Sequence, residues 1–133
     1  MSKEFFIWRD NFSVGNQIID DQHKKLIAII NRLYQSYMDK KQVDEISSIM
    51  KELADYTRYH FTTEENLIRE KKYPFIAEHI KEHDFFIEEL RNFKEQFDSS
   101  PSILTLKVMT FLQKWLRDHI LVNDQKYKEY IIK

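Results

Sequence analysis

Four long stretches of this chain place apolar residues at three- and four-residue intervals, and almost nothing inside them breaks a helix. The first runs from about Ile18 to Met38 and carries Ile19, Leu26, Ile27, Ile30 and Leu33. The second runs from about Asp44 to Lys71, with Ile46, Ile49, Met50, Leu53, Leu67 and Ile68. The third follows Tyr73-Pro74 and ends near Phe97, with Ile76, Ile80, Phe86, Leu90 and Phe93. The fourth opens at Ser100-Pro101 and carries Leu104, Val108, Phe111, Leu112, Trp115 and Val122. Gly15 is the only glycine and Pro74 and Pro101 the only prolines in 133 residues, too few turn residues for a sheet protein. Both prolines stand where a first helical turn tolerates them, and Ser100 is placed to cap the fourth helix. The connections are short, which makes neighbouring helices antiparallel.

The expected fold is therefore all-α: one domain over residues 1–133, built on an up-down-up-down four-helix bundle over 18–123. Residues 1–17 do not read as a helix. Their apolar side chains (Phe5, Phe6, Ile7, Trp8, Phe12, Val14) suit an arm laid against the bundle rather than left in water. A short helix over 124–133, strongest from Asp124 to Ile131, closes the chain.

Charge narrows the function classes. With 21 basic and 22 acidic residues the net charge is −1, and no basic stripe interleaved with aromatics is present. Nucleic acid is not an expected partner, nor is a membrane bound through a polybasic patch. The absence of cysteine excludes disulfides, thiolate zinc sites and cysteine-ligated iron–sulfur clusters. Met1 to Asp10 hold no long apolar core of a secretion signal and no stretch reaches membrane-spanning length, so a cytoplasmic protein is expected.

The informative residues interrupt the apolar stripes. The chain has five histidines, His23, His60, His79, His83 and His119, and each falls on a core-facing row. One such histidine is usually a hydrogen-bonded core residue. Five of them, each costly to bury unpaired, are satisfied together by convergence on metal. His60 and Glu64 are four residues apart and so share a helix face, as do His79 and His83. Glu64 is a carboxylate inside an apolar stripe, disfavoured there unless protonated, paired or metal-bound. Glu65 is turned about 100° away and is expected in solvent. Asp124 lies about 140° round the axis from His119, so it joins the others only if the helix ends or distorts near Asn123.

His79-Ile80-Lys81-Glu82-His83 also matches the H-x-x-E-H string of some zinc peptidases, with Glu82 as general base. That reading leaves His23, His60, Glu64 and His119 without a role, and Glu82 sits among solvated charges. Five imidazoles and two carboxylates are too many for one ion, so two metals are expected. Such ligands admit iron, and also a pair of zinc or manganese ions.

The chain resembles the hemerythrin family, in particular its bacterial single-domain members. The resemblance rests on Val14-Gly15, Ile19-Asp20-Asp21-Gln22-His23, His60-Phe61-Thr62-Thr63-Glu64-Glu65, Tyr73-Pro74 before His79 and His83, and Trp115-Leu116-Arg117-Asp118-His119-Ile120 with Asp124. It implies two iron ions joined by an oxo or hydroxo bridge. His79, His83 and His119 would hold one iron, His23 and His60 the other, and Glu64 and Asp124 would span both. Dioxygen would bind reversibly at the iron held by two histidines, in an apolar pocket of Leu26, Phe61, Trp115, Leu116 and Ile120.

An oxygen carrier, store or delivery protein is therefore the expected function, with dioxygen as ligand and a protein partner for delivery or signalling as a further possibility. All five histidines are used as ligands, which leaves none as a free acid or base and argues against an enzyme. Tyr56 and Tyr127 are the tyrosines placed to come near the site. A sensor module, a di-iron oxidase, peroxidase or nitric oxide reductase, and a structural bundle with zinc are the competing readings.

Overall fold

The structure, a computed structural model, describes residues 7–39, 43–99, 101–120 and 124–131; residues 43, 98–99, 101–106 and 131 are described by their backbone alone. Phe5, Phe6, the Ser100 cap, Val122 and Asn123 lie outside these residues, as does the side chain of Leu104. The expected helices are present. They are α1 (Gln17–Met38), α2 (Val43–Glu70), α3 (Ile76–Ser99) and α4 (Pro101–Asp118), followed by a 3-10 turn (Asp124–Tyr127) and the short α5 (Lys128–Ile131). Helix α1 packs on α2, α2 on α3, α3 on α4, and α4 closes the bundle against α1. Among the described residues no helix is long and apolar enough to cross a membrane.

Local chemistry sets the ends of the helices. Asn16 caps α1: its side-chain oxygen accepts the Ile19 N–H at 3.1 Å, one of the donors a helix start leaves unpaired. Among the described residues before it, the arm makes one 3-10 turn (Asp10–Phe12) and is otherwise non-helical. Gly15 turns with φ 79°, where a Cβ would clash. Asp20 ties the arm to α1, accepting from the Val14 N–H at 2.9 Å and from the Ser13 hydroxyl at 2.5 Å. Pro74 lies two residues before α3 starts, in the turn rather than in the helix.

Helix α2 ends in a left-handed cap. Tyr73 N–H donates to Ile68 O and Lys72 N–H to Arg69 O, with Lys72 at φ 60°. Tyr73 and Ile68 are both buried in one apolar cluster, which seals the turn. A lysine carries steric strain in that conformation. Lys72→Gly should relieve about 1–2 kcal/mol of it. The added freedom of the unfolded chain takes back about 0.5–1 kcal/mol. A net gain of up to about 1.5 kcal/mol in urea unfolding is expected, and a loss would show that Lys72 makes an offsetting contact.

The core is split along the helix axes. A large cluster holds Leu26, Ile30, Leu53, Phe61, Phe86, Leu90 and Leu112 among others. A smaller one gathers Val14 from the arm, Ile19, Ile68, Tyr73 and Tyr127. Between them every histidine is buried, together with Glu64 and Asp124. In α1, His23 separates Ile19 of the small cluster from Leu26 of the large one, and in α3 His79 and His83 separate Ile76 from Phe86. One polar layer thus crosses a largely apolar interior.

Candidate metal centre

The layer contains all seven residues singled out from the sequence as ligands. Four of the histidines, Glu64 and Asp124 are fully buried, and His79 is 4% exposed. They form two overlapping groups whose ligand atoms all lie within 4.8 Å of one another: His23, His60, Glu64, His119 and Asp124, and Glu64, His79, His83, His119 and Asp124. Glu82 belongs to neither.

The two oxygens of Glu64 sort the histidines. Oε1 is 2.9 Å from His83 Nε2 and 3.7 Å from His119 Nε2, and it is hydrogen-bonded to His79 Nε2. Oε2 is 3.4 Å from His60 Nε2 and 3.6 Å from His23 Nε2. Asp124 lies across from it, with Oδ1 3.1 Å from His79 Nε2 and Oδ2 2.8 Å from His23 Nε2 and 3.1 Å from His119 Nε2.

Most of these short contacts are not hydrogen bonds, because the atoms are close without being aligned. Eight buried side-chain atoms have no hydrogen-bond partner among the described residues: both ring nitrogens of His23 and of His119, Nε2 of His60 and of His83, and both oxygens of Asp124. Each such atom costs about 1–3 kcal/mol if nothing satisfies it. Bound cations would satisfy most of them at once. Nitrogen and carboxylate donors without thiolate, in two groups that share two carboxylates, fit a binuclear metal site.

Asp124 reaches the layer because the backbone changes its winding. His119 and Ile120 adopt the wider π-helical turn, and Asp124 opens a 3-10 turn after residues that are not described. The distortion begins at His119 itself, four residues before the position expected from the sequence. The Gln125 amide fastens the turn, with Nε2 3.2 Å from Phe12 O and 3.3 Å from Ser13 O and Ile120 O.

Two residues around the layer, Gln22 and Glu65, are not legible as functional in the sequence, and a third, Tyr127, is expected near the site with no role or partner assigned to it. Gln22 Oε1 accepts from His60 Nδ1 at 2.8 Å, while its Nε2 faces Thr63 Oγ1 at 3.4 Å. Glu65, expected in solvent, instead accepts from His83 Nδ1 at 2.8 Å and is 21% exposed. Tyr127 donates to Glu64 Oε2 at 2.9 Å. Their only signal is a polar or hydroxyl group one position from a ligand or one turn after it, which many solvated residues share. Tyr56 is half-buried and carries the Lys25 ammonium over its ring.

Of the expected oxygen pocket, Phe61, Leu116, Ile120 and Leu26 are buried in the large cluster and Trp115 packs against it. The Phe61 ring stacks on His83 (centroids 3.7 Å, planes 3° apart), and Trp115 stacks on His119 (4.5 Å, 12°).

A match to the hemerythrin HHE cation binding domain extends over residues 14–131. The chain belongs to the hemerythrin family. It is 34% identical over 127 residues to a bacteriohemerythrin of Stenotrophomonas maltophilia, covering 94% of this chain and 80% of that one. With a bacteriohemerythrin of Clostridium acetobutylicum it shares 33% identity over 128 residues, 92% of this chain and 98% of the other. A crystal structure of wild-type hemerythrin superposes with a TM-score of 0.88 at 25% identity, covering 97% and 99% of the two chains. The hemerythrin fold is thus the bundle described above, and its polar layer coincides with the part of the sequence that carried the resemblance.

The protonation of this hemerythrin's layer sets how it exchanges protons for metal. Burial would push His23 and His79 down, but the Asp124 and Glu64 carboxylates beside them override it and hold them at about 9 and about 10. Burial would lower His83 too, but Glu64 and Glu65 raise it. Burial prevails at His60, pushed down to about 4, and lowers His119 as well. Burial would raise Glu64, but the charge on His119 and the close His23, His60 and His79 rings hold it well below the usual carboxylate range. Asp124, which burial and the charge on Glu64 would raise, is likewise lowered by His119 and His23.

Metal must displace the protons held on His23 and His79, so loading near neutral pH should release protons. Apparent affinity should rise with pH until it passes about 9 to 10. The same raised values stabilise the metal-free fold fully below the ordinary value of 6.5, a contribution lost as pH rises through about 9 to 10. Stabilisation by metal should therefore grow between those limits. Calorimetric titration in two buffers of different ionisation heat counts the protons, and metal uptake without proton release would contradict this assignment.

Proposed function

We propose that this hemerythrin binds dioxygen reversibly at a pair of iron ions joined by an oxo or hydroxo bridge, as a carrier, store or delivery protein and not as an enzyme. The observation that supports it most is the set of five imidazoles with Nε2 gathered around two shared carboxylates, in a layer closed to solvent. His79, His83 and His119 would hold one ion, His23 and His60 the other, and Glu64 and Asp124 both. The division follows the two oxygens of Glu64, and His119 also lies within reach of the second group. When bound, the pair would supply one-electron chemistry at two neighbouring ions, which is what giving two electrons to dioxygen and recovering them on its release requires.

The chain's own residues make such binding reversible. Leu26, Phe61, Leu116 and Ile120 are buried, and with Trp115 they form the apolar wall of the proposed oxygen pocket. An apolar wall excludes the water that would deliver protons to a reduced ligand. Every histidine is committed to the centre, so none is left as a general acid or base. The Tyr127 hydroxyl donates to Glu64, and burial, Asp124 and Glu64 hold its own pKa well above the usual phenol range, so it keeps its proton.

The test is a metal count with visible spectra of the anaerobically reduced, iron-loaded protein before air, in air and after deoxygenation. Two irons per chain and an absorption band that appears in air and disappears on deoxygenation are expected. Steady oxygen consumption with a reductant, or one-way conversion to an inert ferric form, would replace this reading with an oxidase or a sensor. Zinc, or no metal, would end it.

A further inference from the structure

The two halves of the layer differ in what lies behind them. His60 and His83 each turn Nε2 inward and hydrogen-bond outward through Nδ1, both at 2.8 Å, but to groups of different charge. His60 meets the Gln22 amide oxygen and His83 the Glu65 carboxylate. Both partners can only accept through these oxygens, so each ring carries its proton on Nδ1 and presents a lone pair at Nε2. An anionic acceptor draws the Nδ1 proton outward and makes Nε2 the stronger electron donor, more than a neutral amide does. A second, independent feature acts in the same direction. Tyr127 donates to Glu64 Oε2, the oxygen on the His23 and His60 side, and so competes for its lone pairs. Oε1, on the His79 and His83 side, has no such hydroxyl donor among the described residues.

From this geometry we infer that Glu65 widens the difference between the two metal positions beyond what three imidazoles against two already give. The position on the His79, His83 and His119 side binds more tightly and favours the higher oxidation state. The position on the His23 and His60 side, weakened by Gln22 and Tyr127, binds less tightly and is the more easily kept reduced. Glu65 is in this sense a positioning residue, acting through the His83 ring. The inference rests on the binuclear reading proposed above, and the two can fail separately.

Stepwise titration of the metal-depleted full chain with Co2+, in competition with a chromophoric chelator, should resolve two affinities. Glu65→Gln, nearly isosteric and at a partly exposed position, should weaken the tighter one by about tenfold or more and leave the weaker one unchanged. Tyr127→Phe should do the converse and tighten the weaker one. In the iron-loaded protein, Glu65→Gln should also move the first oxidation to a more positive potential. Equal weakening of both positions, or no change in either, with the helical circular dichroism intact, would overturn the role of Glu65. Fewer than two Co2+ per wild-type chain would overturn the binuclear reading, and this inference with it.

Discussion

Glu64→Ala is expected to lose both metals and to destabilise the metal-free fold by about 3–5 kcal/mol, the cost of leaving buried charges without their partner. The carboxylate is fully buried, and its two oxygens lie within 4 Å of all five histidines between them. Among the described residues only Asp124 and His119 also belong to both ligand groups. Removing Glu64 leaves His23 and His79 with Asp124 alone to hold their protons, and leaves the Tyr127 hydroxyl without its acceptor. Glu64→Gln preserves volume and can still accept from Tyr127, so it should recover part of the stability but neither metal. Glu70→Ala, exposed at the end of the same helix, should be within about 0.5 kcal/mol of the wild type. Metal analysis and urea unfolding read the two effects. Two metals per chain in Glu64→Ala would show that the carboxylate is not shared.

Phe61→Ala should cost about 3–5 kcal/mol, because a large ring is removed from a site that cannot collapse. Phe61 is 2% exposed, lies flat on His83, and is 5.6 Å from the rings of both Trp115 and His119. It joins the large apolar cluster to the histidine layer, and both are held by long helices. Phe61→Leu, which refills most of the volume, should cost clearly less. The iron-loaded Phe61→Ala protein should also convert faster in air to the inert ferric form, because the hole admits water beside His83. A stability loss below about 1 kcal/mol would mean that the neighbouring rings move in to fill the space.

Much of the layer is legible in the amino-acid sequence, for a local reason. Within one helix, spacing fixes direction, so a histidine that continues a row of isoleucines and leucines must face where they face. That logic puts His23, His60, Glu64, His79, His83 and His119 in the interior, and all six are buried. It also sets the start of α1 to within one residue, at Gln17 against the expected Ile18. For Asp124 the same logic requires a distortion, because it assumes regular winding. The backbone widens at His119, where Ile120 is buried and its carbonyl accepts from the Gln125 amide, contacts that no spacing announces.

Glu65 shows the other limit. It does turn about 100° from Glu64, but that direction leads to His83 on α3 and not into water. Gln22 and Tyr127 are of the same kind, each meeting a group 38 or 63 residues away in the chain. The sequence by itself determined which side chains lie on the buried face of each helix, hence the bundle and the chemistry of its polar layer. Only the tertiary structure decided which faces meet, at what distance, and therefore which imidazole is backed by a carboxylate and which by an amide. Helical periodicity is a property of a few consecutive residues, whereas the distances across the layer are set by the packing of side chains on different helices.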